Sequence, residues 1–116
     1  MIRYDLEPIP NFSLEEMRCK CGCGLVIMQT TLLNAIDVVR GELEAPITVA
    51  SWTRCKEHNK AEGGKRNSYH LYGRAVDIHP SDGITDEFER LCRIWFPYVK
   101  RYISFCHCDI RGRRRL

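Results

Sequence analysis

The side chains with the clearest chemical potential in this sequence are His70, Asp77 and His107, because histidine and aspartate are common zinc ligands. Asp77 ends the segment SYHLYGRAVD, and His107 opens the later run HCD. Two imidazoles and one carboxylate suffice to hold zinc through three protein ligands, which leaves a fourth position open for water and hydrolysis. Residue types alone do not establish a site, because a histidine in a strand is more often structural or exposed. Whether these residues form a site therefore depends on the strands that carry them and on the faces to which their side chains project.

Two strands are predicted in the middle of the chain. Residues 47 to 52 are rich in β-branched side chains, which indicates a strand that presents Arg54 at its end. Residues 74 to 79 alternate with the period of a strand. Asp77 and His79 are therefore expected to project to the same side of the sheet.

A last strand is predicted over residues 102 to 110. Its alternation places His107 and Asp109 on one face and Cys106 and Cys108 on the other. Free cysteine behaves as a small hydrophobic residue, so these two thiols are expected in the core rather than among metal ligands. The polar face of this strand thus offers a histidine and a carboxylate.

Three helices are predicted from capping signals and apolar periodicity. A short helix begins at Ser13, which forms a capping box with Glu16. The main core helix is expected to end at Gly41, and the third begins at Thr85 and ends before Pro97. The apolar stripe of the core helix comprises Leu32, Leu33, Ala35, Ile36 and Val39. The apolar face of the third helix comprises Phe88, Leu91, Cys92 and Trp95.

Length and composition restrict the class of protein. A chain of 116 residues fits one domain, predicted over residues 1 to 116 with a basic tail from 111 to 116. The composition, 44% hydrophobic and 28% charged, is that of a soluble globular protein, and no apolar run approaches the roughly 20 residues of a membrane helix. Acidic residues near the N-terminus disfavour a secretory signal peptide, so synthesis in the cytoplasm without one is expected.

The cysteines raise a separate question about metal or disulfide chemistry. Seven cysteines cannot all pair within one chain, and without a signal peptide most are expected as reduced thiols. Cys19, Cys21 and Cys23 would form a second zinc site if Cys55 or Cys92 lay nearby. The spacing C-x-C-x-C lacks the usual C-x2-C pattern, so loop thiols packed under the fold, or one disulfide in oxidising surroundings, are favoured instead.

Several motifs follow one another along the chain. They are Ser51-x-x-Arg54, Cys55-x-x-His58-Asn59, Gly63-Gly64, Ser68-x-His70-x-x-Gly73-x-Ala75-x-Asp77 and Phe105-x-His107-x-Asp109-x-Arg111. Together they resemble the zinc D-alanyl-D-alanine carboxypeptidases and endopeptidases of the M15 peptidase family, especially the short forms of phages and prophages. The resemblance runs from about Phe12 to Arg111.

The resemblance implies both a fold and a metal site. The fold would be α+β, with a small antiparallel sheet and flanking helices, shared in outline with the hedgehog signalling domain. His70, Asp77 and His107 would bind Zn²⁺. This ligand set is chemically sound, because it leaves zinc cationic enough to polarise a peptide carbonyl.

Three further residues acquire expected roles from the same resemblance. Arg54 matches an arginine that faces the substrate, where a guanidinium binds a terminal carboxylate or stabilises an oxyanion. Ser68 matches a serine that hydrogen-bonds substrate. Asp109 is expected to take part in catalysis or to orient a zinc ligand. Without the resemblance they would be assigned as a surface salt bridge, a turn residue and a charge in solvent.

The sequence departs from the family pattern at one catalytic position. Many active members carry an acid three positions before the last zinc ligand, where this chain has Ser104. A serine cannot exchange a proton near neutral pH as a carboxylate can, and such a loss costs about 10²- to 10⁴-fold in rate. Asp109 and His79 are the candidates to replace it. Trp52 and Thr53 stand where Gly-Tyr is common, which affects the expected pocket beside the substrate arginine.

The expected function is hydrolysis of an amide next to D-alanine in the peptide of peptidoglycan, as a carboxypeptidase or an endolysin-type endopeptidase. The protein, expected to be a monomer, would act on the bacterial cell wall after phage-mediated release. One alternative is a zinc-bearing module that binds muropeptide without cleaving it, which Ser104 supports. A nucleic-acid-binding protein, in which the basic tail meets phosphate, is a third and disfavoured interpretation.

Overall fold

The computed structural model describes residues 12, 14–27, 29–65 and 68–111, and they form the α+β fold that was predicted. In chain order the elements are α1 (Leu14–Met17), α2 (Thr30–Leu43), β1 (Ile47–Ser51), α3 (Lys56–Ala61), β2 (Ala75–Pro80), α4 (Asp86–Trp95), β3 (Tyr98–Arg101) and β4 (Cys106–Asp109), with a 3₁₀ turn (Tyr69–Tyr72) before β2. No helix in these ranges has the length and apolar character needed to cross a membrane. The predicted cap Ser13 and residues 112 to 116 lie outside the described residues.

The four strands form one antiparallel sheet in the order β1-β2-β4-β3. Between β2 and β4, Asp77 is paired with His107 and Ala75 with Asp109. Side chains at paired positions project to the same face of a sheet. The pairing therefore brings Asp77 and His107 together although they are distant in the sequence.

The opposite face of the sheet packs against α2 and α4. The buried cluster includes Leu32, Ile36 and Val39 from α2, Phe88 and Leu91 from α4, and Val76, Ile78, Cys106 and Cys108 from the sheet. Burying each such Leu, Ile, Val or Phe contributes about 1.5–3 kcal/mol relative to leaving it exposed. Cys106 and Cys108 are fully buried, which confirms that they belong to the core.

Helix α2 is longer than predicted. It passes Gly41 and continues to Leu43, and Glu44 closes it in a left-handed conformation with φ of 55°. The N–H of Glu44 donates to the Arg40 carbonyl. Glycine permits a helix to end but does not require it, so the predicted end at Gly41 was wrong.

Helix α4 begins as predicted, because the Thr85 hydroxyl accepts a hydrogen bond from the N–H of Phe88 at 3.1 Å. Its predicted apolar face is wrong at Trp95, which is 37% exposed. Trp95 ends the helix, and the buried position there is taken by the next residue, Phe96.

The predicted strand over residues 102 to 110 is correct only in its second half. Residues 98 to 101 form β3, which was not predicted, and β4 begins at Cys106. Between them the N–H of Tyr102 donates to the carbonyl of Phe105 at 2.8 Å. Residues 102 to 105 thus connect two antiparallel strands rather than extend one.

Candidate metal centre

Three potential metal ligands converge on the face of the sheet away from α2 and α4. The 3₁₀ turn supplies His70, β2 supplies Asp77 and β4 supplies His107. One ligand atom from each lies within 4.8 Å of the other two. Two imidazoles and a carboxylate at this separation can hold a tetrahedral metal ion with one position free. The structure therefore brings together the three residues that the sequence resemblance implied.

The orientation of His70 leaves one ring nitrogen available to a metal. Nδ1 lies 2.8 Å from the backbone oxygen of Trp52, which only accepts hydrogen bonds, so Nδ1 carries the proton. Nε2 is buried, has no hydrogen-bond partner among the described residues, and lies 3.2 Å from Asp77 Oδ2. A lone pair facing a carboxylate is favourable only when a cation is near both. This nitrogen therefore fits a metal ion.

The turn that carries His70 depends on the residues at its two ends. At its start, the Ser68 hydroxyl accepts a hydrogen bond from the N–H of His70 at 3.2 Å. At its end, Gly73 has φ of 68°, and a Cβ there would lie 2.5 Å from the backbone oxygen of Ile27. Ser68 thus has the turn role that its type predicts, while its contact with substrate stays a prediction.

His107 lies between two carboxylates. Its Nδ1 is 2.9 Å from Asp77 Oδ1, and its Nε2 is 2.8 Å from Asp109 Oδ2. Burial opposes the charged ring, but the hydrogen bonds to Asp109 and Asp77 outweigh it and raise the pKa of His107 to about 9. His107 would hold a metal through the nitrogen that faces Asp77 once that nitrogen had lost its proton, and the other nitrogen would still donate to Asp109.

Asp77 is ionised at any ordinary pH. Burial of its carboxylate opposes the charge, but the hydrogen bond from His107 outweighs burial and lowers the pKa of Asp77 to about 2. A carboxylate that is already charged needs no proton release to bind a cation. Asp77 is therefore the ligand most ready to accept a metal.

Asp109 is fully buried behind His107. Its Oδ2 accepts from His107 Nε2 and from Arg111 Nη2 at 2.7 Å, and its Oδ1 accepts from the backbone N–H and Nε of Arg111 at 3.1 and 2.9 Å. Burial opposes its charge, but these hydrogen bonds lower the pKa of Asp109 to about 2. A carboxylate so engaged orients a histidine ligand well and accepts a proton poorly near neutral pH. The contacts favour the orienting role over the catalytic one.

Arg54 lies beside the ligands. Its Nη2 is 3.5 Å from Asp77 Oδ2, and its Nη1 donates to Asn59 Oδ1 at 3.0 Å. The Asn59 amide in turn donates to the Lys65 carbonyl at 2.8 Å. The Arg54 side chain is 13% exposed, so its pair with Asp77 is not a surface salt bridge. Its contact with substrate stays a prediction.

His79, the other candidate for proton transfer, and Ser104, which replaces the family acid, have different surroundings. His79 shares the alternation of Asp77, but its Nδ1 is 2.8 Å from the carbonyl of Pro80. Ser104 is exposed in the turn between β3 and β4. His79 does not belong to the group of ligand atoms that lie within 4.8 Å of one another.

Sequence reasoning missed the support around Asp109. Arg111 was assigned to the basic tail, whereas its Cζ lies 3.6 Å from the centroid of the Tyr98 ring and its guanidinium holds Asp109. The Tyr98 ring also packs edge-on against His107, with centroids 6.1 Å apart. The available signal was the alternation of His107, Asp109 and Arg111, which places all three on one face.

Residues 10–109 match the sequence model of the family described as Peptidase M15. The chain matches no curated protein and no solved structure.

Proposed function

Because the chain belongs to the Peptidase M15 family, a family of metallopeptidases, we propose that it is a zinc-dependent peptidoglycan peptidase. It hydrolyses an amide bond next to D-alanine in the wall peptide, as a D-alanyl-D-alanine carboxypeptidase or an endolysin-type endopeptidase. The observation that carries the proposal is the convergence of His70, Asp77 and His107, with Nε2 of His70 buried and unpaired among the described residues.

Zinc is the metal proposed for this centre, because imidazole nitrogens with one carboxylate are the ligands of many hydrolytic zinc sites. Bound zinc would polarise the scissile carbonyl and lower the pKa of its water towards about 7. The chain orients the two rings through second hydrogen bonds, from His70 to the Trp52 carbonyl and from His107 to Asp109.

Arg54 is the proposed binding group for substrate charge. Its guanidinium is partly buried, lies next to Asp77 and is held by Asn59. A guanidinium in this position can bind a terminal carboxylate through two parallel hydrogen bonds or stabilise an oxyanion. Ser68, at the start of the turn that carries His70, is the proposed hydrogen-bonding partner of the substrate backbone.

Proton transfer is the weak step of this centre. Ser104 cannot hold a proton as a carboxylate does, and Asp109 is engaged by His107 and Arg111. Without a dedicated acid and base the expected rate is about 10²- to 10⁴-fold lower than with one. We therefore propose slow hydrolysis.

The second candidate function is a zinc-bearing module that binds muropeptide without hydrolysing it. Two observations favour it. An exposed serine, Ser104, occupies the position of the family's acid, and both carboxylates of the site, Asp77 and Asp109, already form hydrogen bonds with His107. Metal binding and the role of Arg54 are unchanged in this alternative.

Incubation of the zinc-loaded protein with defined peptidoglycan fragments tests both functions. Mass spectrometry follows new amines, and calorimetry with the same fragments follows binding. Product formed by the wild type and not by His107→Ala supports the peptidase. Saturable binding without product at high protein concentration selects the binding module, and neither product nor binding overturns both.

A further inference from the structure

A second group of potential ligands lies outside the centre described above. It consists of Cys19, Cys21 and Cys23 in one loop and Cys55 just before α3. The Sγ atoms of the four all lie within 4.8 Å of one another. We refer to this group as the cysteine cluster. It joins parts of the chain that are 36 residues apart at Cys19 and Cys55.

The spacing of the sulfur atoms matches a tetrahedral metal site. Cys19 Sγ is 3.5 Å from Cys21 Sγ and 3.8 Å from Cys55 Sγ, and the last two sulfurs are 3.7 Å apart. Zinc–sulfur bonds of about 2.3 Å in a tetrahedron place neighbouring sulfurs about 3.8 Å apart. A disulfide would require about 2.05 Å. The sulfurs therefore lie at the separation that a shared ion needs.

The backbone around the cluster already orients the sulfurs. The N–H of Cys55 lies 3.4 Å from Cys19 Sγ, and the N–H of His58 lies 3.3 Å from Cys55 Sγ. These two contacts hold the Cys19 and Cys55 sulfurs in place within the cluster. Gly22, with φ of 89°, lets the loop turn between Cys21 and Cys23.

The remaining cysteines are arranged differently. Cys92, Cys106 and Cys108 are fully buried in the hydrophobic core. They serve as small apolar side chains, whereas Cys21 and Cys23 are exposed. The structure thus separates seven thiols into a core group and the cysteine cluster, and Cys55 rather than Cys92 is the fourth member.

We propose that the cysteine cluster binds one Zn²⁺ as a structural site. Four thiolates fill the tetrahedral positions, so this site is closed and leaves no place for substrate or water. Binding releases the thiol protons to solvent. Four thiolates around one dication carry a net charge of −2, and the cationic residues Lys20 and Lys56 are each adjacent in sequence to a cluster cysteine. The proposal does not depend on the peptidase activity.

The site would fasten the cysteine loop to the segment that carries Arg54. Three hydrogen bonds of Thr53 already join the two sides. Its N–H donates to the Met17 carbonyl at 3.1 Å, and its hydroxyl accepts from the N–H of Ile27 at 3.1 Å and donates to the Ile27 carbonyl at 3.0 Å. Cys55 follows Arg54 directly. A metal bound at the cluster would therefore hold Arg54 through the next residue, Cys55, on the side away from Thr53.

Zinc content of the full chain, purified with reductant, tests the proposal. We expect two zinc ions per chain in the wild type and one in Cys21→Ser and in Cys55→Ser. The matched control Cys92→Ala removes a core thiol and is expected to keep two. The double variant His70→Ala with Asp77→Ala is expected to keep one, held by the cysteines.

The same measurement separates this proposal from the proposed function. One zinc in the wild type that is lost with His70 and Asp77 but kept in Cys55→Ser overturns the cysteine site and leaves the peptidase centre intact. One zinc in the wild type that is lost in Cys55→Ser but kept in the double variant of His70 and Asp77 supports the cysteine site and overturns the peptidase centre.

Cobalt substitution of the wild-type chain gives a test that needs no variant to fold. Cobalt bound by thiolates shows strong sulfur-to-metal charge-transfer absorption, which a site of imidazoles and carboxylate lacks. We expect this absorption in the wild type, with loss of thiol reactivity at the cluster. Its absence overturns the proposal, as does a disulfide between any two of the four cysteines in the reduced preparation.

Discussion

Asp77 Oδ1 and His107 Nδ1 are 2.9 Å apart on adjacent strands, at positions paired in the register of the sheet. Their contact follows from strand pairing, which fixes side chains more precisely than a loop does. His70 comes instead from a short turn that is shaped by Ser68 and Gly73. Mutations in the turn are therefore expected to displace His70, whereas Asp77 and His107 are displaced only when the pairing of their strands changes.

Asp109→Ala is expected to weaken zinc binding about 10- to 100-fold, because it removes the acceptor that orients His107. Zinc affinity is measured by competition with a chelator. The matched control is Asp86→Ala, whose exposed carboxylate pairs with Arg101. An unchanged zinc affinity with lost activity would instead assign Asp109 to proton transfer.

The zinc-free protein is expected to lose stability as pH rises from about 6.5 to about 9. The pKa of His107 lies above its ordinary value of 6.5, so its folded-state interactions are complete below 6.5 and are lost as pH rises through about 9. Zinc affinity should rise over the same window, because protons compete less for His107. Urea unfolding of the zinc-free protein at several pH values measures the first effect. His107→Ala should show a flatter profile.

Arg54→Ala is expected to lower kcat/KM, or fragment affinity if no cleavage occurs, by about 10- to 150-fold. This is the loss of about 1.5–3 kcal/mol for hydrogen bonds to a charged group. Arg54→Lys should recover little, because lysine lacks the planar fork of donors. Zinc content should stay that of the wild type. Arg90→Ala, an exposed arginine paired with Glu87, is the control. Equal losses in both variants would contradict a specific role for Arg54.

Gly73→Ala is expected to destabilise the protein by about 1–3 kcal/mol, because alanine is strained at a positive φ. The added Cβ would also press on the backbone of Ile27. Gly41→Ala is the matched control, since Gly41 lies inside α2 with open space around it and should gain about 0.5–1 kcal/mol. Urea unfolding of both variants measures the difference. A neutral Gly73→Ala would show that the turn tolerates a side chain.

Much of the fold could be predicted because its signals are local. Residues close together in the sequence determine the apolar stripe of α2, the Thr85 cap and the alternation of β4. Strand β3 carries no such signal, because it is a four-residue edge strand in which only Val99 is buried. Its place depends on pairing with β4 rather than on its own pattern.

The residues that could bind metal were predictable from the sequence, but the groups that orient them and their partners from distant parts of the chain were not. The acceptor for His70 is a backbone carbonyl at Trp52, and a backbone group leaves no mark in a sequence. Cys55 joins the cysteine cluster only through tertiary packing, so the sequence left it equal with Cys92. Distant partners of this kind are set by packing of the whole domain.

Two hydrogen bonds in opposite directions join His70 to residues 52 to 54. The N–H of Arg54 donates to the His70 carbonyl at 3.3 Å, and the ring of His70 binds the carbonyl of Trp52. Residues 55 to 69 therefore form one segment whose two ends are held together. Each doubling of such a loop costs only about 0.6 kcal/mol. We expect insertions after α3 to leave the spacing of Arg54 and His70 unchanged, which makes that part of the chain the natural place to engineer a new substrate preference.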